Sequence, residues 1–223
     1  MAQRVKYIAV DGPIGVGKTT LAKLLAQRLS AHLVCEVVEE NPFLENFYRD
    51  VRGYAFQTQL FFLLSRHHQL RETFQTRMIM VEGELVPAPA VVSDYLFDKD
   101  RIYAALNLSE PELTLYYRIY DLVKGDIPTP DLVVYLQARV EVLLARIRQR
   151  GRNFESNIDP EYLGNLSNLY NSFFLHYEEV PVLIVNTERF NFVNNQEDFE
   201  KLFRAIVEHQ QGRKFFSLRS RKR

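Results

Sequence analysis

The apolar positions of this chain fall into short runs separated by longer amphipathic stretches. Tyr7–Val10 is an apolar run of β-forming residues that stops at Asp11-Gly12, the pattern of a buried strand entering a turn. Lys18–Leu29 spaces Leu21, Leu24, Leu25, Ala26 and Leu29 along one helical face. Leu33–Val38 is a second short apolar run, and Tyr54–Arg71, free of glycine and proline, predicts a long helix. Further strands are predicted at Ala90–Ser93, Asp131–Gln137 and Val182–Val185. Helices are predicted at Val140–Arg150, with apolar Val142, Leu143 and Ile147, at Pro160–Tyr177 and at Glu197–Glu208. Arg77–Pro89 fits either a hairpin or a long loop, and the sequence does not choose between them.

Strands thus alternate with helices from end to end, which predicts a three-layer α/β fold around a parallel sheet of five strands. The 223 residues suffice for one domain with a substantial core, expected over 1–211. No repeat or linker divides them. Lysine plus arginine equals aspartate plus glutamate at 28 each, so net charge gives no reason to expect a nucleic-acid or membrane partner. Locally the charge is uneven. Arg139, Arg146, Arg148, Arg150 and Arg152 cluster, and residues 212–223 form a basic stretch expected to be a disordered tail. Cys35 is the single cysteine, so no intrachain disulfide can form and a reducing, cytoplasmic setting is expected. No run of 18 apolar residues occurs, and the N-terminus shows no secretory pattern.

The most specific feature is Gly12-Pro13-Ile14-Gly15-Val16-Gly17-Lys18-Thr19, followed by Thr20. It fits the spacing G-x-x-x-x-G-K-[ST] and lies between a predicted strand and a predicted helix. Glycines let the backbone curl so that successive N–H groups point at phosphate oxygens, and the helix presents its positive end to the same anion. Lys18 brings a mobile charge to the β- and γ-phosphates, and Thr19 a hydroxyl to Mg²⁺. A nucleoside triphosphate is therefore expected, with this P-loop as its cradle. No N-K-x-D motif that would read guanine occurs, and the chain is short for a motor, which leaves a small-molecule kinase.

Several further blocks, in order, resemble the deoxyribonucleoside kinases, most nearly the bacterial deoxyadenosine/deoxyguanosine kinases. The likeness runs from the loop to Val182–Val185 and implies a P-loop kinase fold, ATP as donor, Mg²⁺, and a deoxynucleoside 5′-hydroxyl as acceptor. In Glu36-Val37-Val38-Glu39-Glu40-Asn41-Pro42, the spacing to Asn-Pro implies Glu36 as the general base, with Glu39 and Glu40 as rivals; valine stands where the family often has proline. The resemblance implies Tyr48 on the sugar 3′-hydroxyl, Gln59 on the base edge with Gln57 as second choice, and Arg66 restricting the base. A glutamine amide offers both donor and acceptor, as bidentate pairing with a base requires. In Ser93-Asp94-Tyr95-Leu96-Phe97-Asp98-Lys99-Asp100-Arg101-Ile102-Tyr103, it implies Asp94 near Mg²⁺, Asp100 facing the base beside Arg66, and Tyr103 stacked on the base. Tyr95 departs from the pattern, since an arginine follows the acid in the family; Lys99 and Arg101 are the nearby cations available to compensate. Read without the resemblance, this segment is a polar loop after a strand.

Arg146-Ile147-Arg148-Gln149-Arg150-Gly151-Arg152-Asn153-Phe154-Glu155 resembles the family's lid. This implies Arg146, Arg150 and Arg152 over the transferring phosphates and Glu155 holding the 3′-hydroxyl. Planar guanidinium groups suit the charge that spreads over oxygens in a loose transition state. Two other readings compete: a thymidylate-type kinase, which normally carries Asp-Arg-Tyr/Trp where this chain has Asp94-Tyr95, and a non-catalytic nucleotide-binding regulator. The implied substrate is deoxyadenosine or deoxyguanosine, with deoxycytidine behind them. A homodimer through Tyr54–Arg71 and Glu112–Val123 is expected.

Overall fold

The computed structural model describes residues 6–76, 78–81, 84–152, 155, 158–188 and 191–217. The elements in chain order are β1 (Tyr7–Asp11), α1 (Lys18–Leu29), β2 (His32–Val34), α2 (Leu44–Arg49), α3 (Val51–Thr76), β3 (Met78–Val81), β4 (Glu84–Pro87) and β5 (Val91–Ser93). They continue with α4 (Lys99–Asn107), α5 (Glu110–Lys124), β6 (Leu132–Gln137), α6 (Val140–Arg150), α7 (Pro160–His176), β7 (Val182–Asn186), α8 (Gln196–Glu208) and β8 (Arg213–Phe216).

Six strands form one sheet in the order β2-β5-β1-β6-β7-β8, and every pairing in it is parallel. All five residues of β1 and the first five of β6 are buried in succession rather than in alternation. Continuous burial of this kind means that both faces of the sheet are covered, as a helix–sheet–helix layering requires. The helices fall into two packed groups. α1 meets α8 through Arg28, whose guanidinium lies over the Phe203 ring and 3.4 Å from Glu200. α3, α4, α5 and α7 contact one another in a second group. Tyr135 of β6 stacks on Tyr170 and Phe174 of α7, joining that group to the sheet.

The sheet has six strands where five were expected, because Arg213–Phe216 pairs along β7 instead of forming a disordered tail. The basic composition hid it. Gly212, at φ 64°, turns the chain, and Arg213 donates to the Tyr177 carbonyl. The strand then satisfies backbone groups that β7 would otherwise leave at an open edge. Residues 218–223 of the expected tail lie outside the described residues. Met78–Val81 and Glu84–Pro87 form an antiparallel hairpin, which settles the alternative left open for that segment. The run Leu33–Val38 stays a strand only to Val34. Beyond it the Glu36 amide donates to Asp94 Oδ1 at 2.7 Å, a side-chain bond that ends the ladder and turns the Glu36 carboxyl inward. Lys99–Asn107 is a helix, not a polar loop, with Lys99 and Asp100 buried in its first turn.

Because the strands are parallel, the carboxyl ends of β1, β2, β5, β6 and β7 open on one edge. Chain order reverses at β1, whose neighbours are β5 and β6. The crevice outside such a switch point is where ligands of open α/β sheets gather.

Candidate active site

A cleft of about 1040 Å³ lies at that edge. Its floor is the loop between β1 and α1. Gly12 has φ 147°, and a Cβ there would sit 2.3 Å from the Leu136 carbonyl oxygen. Gly15 has φ 82°, and its Cβ would meet Leu143 O at 2.8 Å. Side chains are excluded at both positions, so the loop backbone can press against β6 and α6. α1 begins at Lys18, so its first amides open toward the cleft. Ile14 through Thr20 line the cleft, whereas Gly12 and Pro13 lie beneath it and accept from Lys18 Nζ at 2.8 and 3.2 Å. Burial and the neighbouring Lys99 charge pull the Lys18 amine down to about 8.

Thr19 Oγ1 donates to Asp94 Oδ2 at 2.5 Å. The two come from the start of α1 and the residue after β5, and both line the cleft. Together they set a hydroxyl and a carboxylate side by side at the phosphate loop. That donor set fits a Mg²⁺ ion, which takes oxygen ligands and keeps most of its shell for water and phosphate.

On the other side of the loop stands Glu36. Arg66 Nε donates to its Oε1 at 2.9 Å, Arg66 Nη2 donates to the same oxygen, and Lys99 Nζ donates to Oε2 at 2.6 Å. Burial by itself would raise this carboxyl, but the two cations and their hydrogen bonds win and hold it well below the usual carboxylate range. Glu39, the nearer rival, is 59% exposed and pairs with Arg152 instead.

Arg66 and Gln59 are buried on α3 and line the cleft. Gln57 is half-buried, donates to Gly53 O at 2.9 Å and does not line the cleft. Tyr48 on α2 and Tyr103 on α4 line the cleft, and burial raises both hydroxyls. Asp100 differs from expectation. It is fully buried behind Arg66, accepts from Arg66 Nη1 and does not line the cleft. It is placed to anchor the arginine, not to touch a base.

The arginine cluster divides. Arg146 is pinned by Val16 O at 3.1 Å, Thr187 Oγ1 at 2.9 Å and Thr187 O at 2.9 Å. It therefore ties the phosphate loop to the end of β7, and it also lines the cleft beside that loop. Arg150 and Arg152 reach further. Arg150 pairs with the buried Glu155, and Arg152 lies 3.6 Å from Glu155 and 2.8 Å from Glu39 across the mouth. Asn153 and Phe154 of the same segment lie outside the described residues.

The sequence reading missed the walls. Leu44, Phe47, Phe62 and Tyr162 line the acceptor end, and Phe192 with Asp198 the donor end. Phe62 also lies under the Arg66 guanidinium, 4.8 Å from its carbon. Leu44, Phe47, Phe62 and Tyr162 sit at ordinary apolar helix positions, indistinguishable in the sequence from core packing.

Residues 8–210 match the deoxynucleoside kinase family. A deoxyguanosine kinase of Bacillus subtilis is 36% identical over 91% of this chain and 96% of its own. A deoxyadenosine kinase of Lactobacillus acidophilus is 28% identical over 92% of this chain and 96% of its own. A solved structure of deoxyadenosine kinase from M. mycoides, with products dCMP and a flexible dCDP bound, superposes with a TM-score of 0.75 at 25% identity, covering 89% of this chain and 97% of that one. The chain belongs to the deoxynucleoside kinase family, and the cleft described above is where its ATP-dependent kinase chemistry is to be sought.

Proposed function

We propose that this kinase acts on purine deoxynucleosides, deoxyguanosine or deoxyadenosine, with Glu36 as the general base. The observation that carries the reading is the placing of an ionised Glu36 carboxylate in the same cleft as the phosphate loop, with Gln59 and Arg66 lining the acceptor side. The O5′–Pγ bond forms as the bond from Pγ to the bridging oxygen of ATP breaks. ADP leaves, and the 5′-hydroxyl proton passes to Glu36.

Lys18, Arg150 and Arg152 neutralise phosphate charge, and the loop amides hold the donor. Thr19 and Asp94 would hold Mg²⁺, which when bound offsets the charge of the β- and γ-phosphates. Tyr48 and Glu155 hold the sugar 3′-hydroxyl, and Tyr103 stacks on the base. Gln59 reads the base edge through its amide. Arg66 spends three N–H groups on Glu36 and Asp100, which leaves donors for the acceptor atoms of a purine's Hoogsteen edge.

Transfer of radiolabelled γ-phosphate to each of the four deoxynucleosides, and to thymidine monophosphate, tests the reading. Turnover of deoxyguanosine or deoxyadenosine well above the pyrimidines is expected. Preference for thymidine monophosphate would overturn it. Deoxycytidine is the second reading, because the M. mycoides enzyme was captured with dCMP. A homodimer belongs to the same proposal: Leu64 of α3 and Leu115 and Leu122 of α5 are exposed on the helices expected to pair. A cytoplasmic location fits the lone Cys35, and no helix among the described residues is long and apolar enough to cross a membrane.

A further inference from the structure

Tyr95 stands next to Asp94, where the family resemblance leads to the expectation of an arginine. It brings no charge. Its ring is wholly buried, and its hydroxyl donates to Gln69 Oε1 of α3 at 2.7 Å. The charge arrives four residues later. Lys99 opens α4, its side chain is 2% exposed, and its Nζ sits 2.6 Å from Glu36 Oε2. The ammonium also lies 5.5 Å from the centre of the Tyr95 ring and 5.9 Å from that of Tyr103, so two aromatic faces bound its position. Arg101, the other possible substitute, is exposed and lies over Tyr117 and Tyr120, away from the cleft.

A buried ammonium is costly to desolvate, and an apolar side chain of the same length would pack the site at less expense. Its presence against a carboxylate that faces the cleft therefore asks for a role beyond packing. Arg66 holds only Oε1 of Glu36. With that oxygen alone fixed, the carboxylate could still swing about its terminal torsion, which is broad and soft for glutamate.

We propose that Lys99 is the positioning residue of the acceptor site, clamping Glu36 Oε2 while Arg66 clamps Oε1, and so doing from the first turn of α4 what an arginine at position 95 would do from the end of β5. The proposal rests on the reading of Glu36 as the base. Lys99 lines the cleft, and the role assigned to it runs through its bond to Glu36. Tyr95 and Lys99 thus form one exchange: the cation moves one helical turn along the chain, and an aromatic ring fills the place it vacates.

Lys99→Met and Lys99→Gln are made together, so that one folded variant suffices, and each is checked by thermal unfolding and by ATP binding. Steady-state kinetics with deoxyguanosine and deoxyadenosine are then compared with wild type. The expected result is a fall in kcat of about 10²-fold, the scale of a misplaced general base, with KM for ATP unchanged. Adding Tyr95→Arg to the Lys99 variant is expected to recover about tenfold of that loss. In a Glu36→Gln background, Lys99→Met is expected to cost less than about threefold more, because its partner is already neutral. A folded Lys99 variant with kcat within threefold of wild type overturns the proposal, as does a full additional loss in the Glu36→Gln background. Absence of transfer by the wild-type chain to any deoxynucleoside would remove the Glu36 reading itself; an active enzyme indifferent to Lys99 removes only this proposal.

Discussion

Thr19 and Asp94 are 75 residues apart in sequence, yet Thr19 Oγ1 donates to Asp94 Oδ2 at 2.5 Å. The contact forms because β1 and β5 are parallel neighbours, so the residues leaving their carboxyl ends share one edge of the sheet. Asp94 also accepts from the Glu36 amide, so a single carboxylate links the phosphate loop to the segment that carries the proposed base.

If this pair holds Mg²⁺, Asp94→Asn lowers kcat by about 10²–10³-fold, the cost of losing one preorganised charge-stabilising group. Thr19→Val is expected to lose less and to be partly recovered at high Mg²⁺. Titration of the rate with Mg²⁺ checks this. Unchanged Mg²⁺ dependence in both variants would assign the ion to other residues.

Glu36 sets a pH expectation. Arg66 and Lys99 hold its carboxyl below the usual carboxylate range, against the effect of burial. A base must be deprotonated to act, so the depression extends activity toward lower pH. No acid limb from Glu36 is expected above about pH 4, near the unperturbed carboxyl value. The sign for stability follows the same way. A depressed folded-state pKa contributes stability that is present above the unfolded value of about 4.3 and is lost as pH falls through the folded value. A kcat/KM profile with an acid limb centred near pH 6 would show that a less stabilised carboxyl is the base.

Arg66 should be structural as well as functional. It is buried between Glu36 and Asp100, and Asp100 is fully enclosed. Arg66→Leu strands two carboxylates beside an apolar side chain, with an expected loss of about 3–5 kcal/mol of unfolding free energy. Arg66→Lys returns the charge without the planar fork that spans both carboxylates, so it should recover only part. Urea unfolding measures both. A loss under about 1 kcal/mol for Arg66→Leu would show that the cluster relaxes or protonates freely.

Deleting residues 212–223 removes β8 and leaves the β7 edge open. Net hydrogen-bond and packing losses of about 1–2 kcal/mol correspond to a Tm lower by roughly 2–8 °C in a chain of this size. Scanning calorimetry measures the shift, and kinase activity at low temperature should persist, since none of residues 212–217, the described part of the deletion, lines the cleft. An unchanged Tm would mean that the strand contributes no net stability.

The phosphate loop was legible because its information is local. Each glycine is required within a few residues of where it stands, and the strand before and the helix after show their own periodicities. Helices α1 and α6 could be placed to the residue for the same reason, since apolar spacing marks both and Gly151 follows the last turn of α6. Glu36 could be separated from Glu39 only by counting to Asn41, and the structure then gave the physical difference: one carboxylate meets two buried cations, the other sits at the surface.

Local sequence pattern carried the α/β alternation, the cradle and the residue types that could complete a kinase site. The arrangement of charge around the acceptor emerges only from the packed chain. Glu36 lies 30 residues from Arg66 and 63 from Lys99, and Arg66 lies 34 from Asp100. Those distances close because strands β2 and β5 pair in parallel and α3 and α4 pack together, placing all four side chains at one edge. Tertiary packing sent Asp100 behind Arg66, tied Arg146 into the frame and recruited a basic segment as a sixth strand. Periodicity reports which face of an element is buried. It does not report which buried charge will find which partner, because that depends on chain crossings that no local pattern encodes.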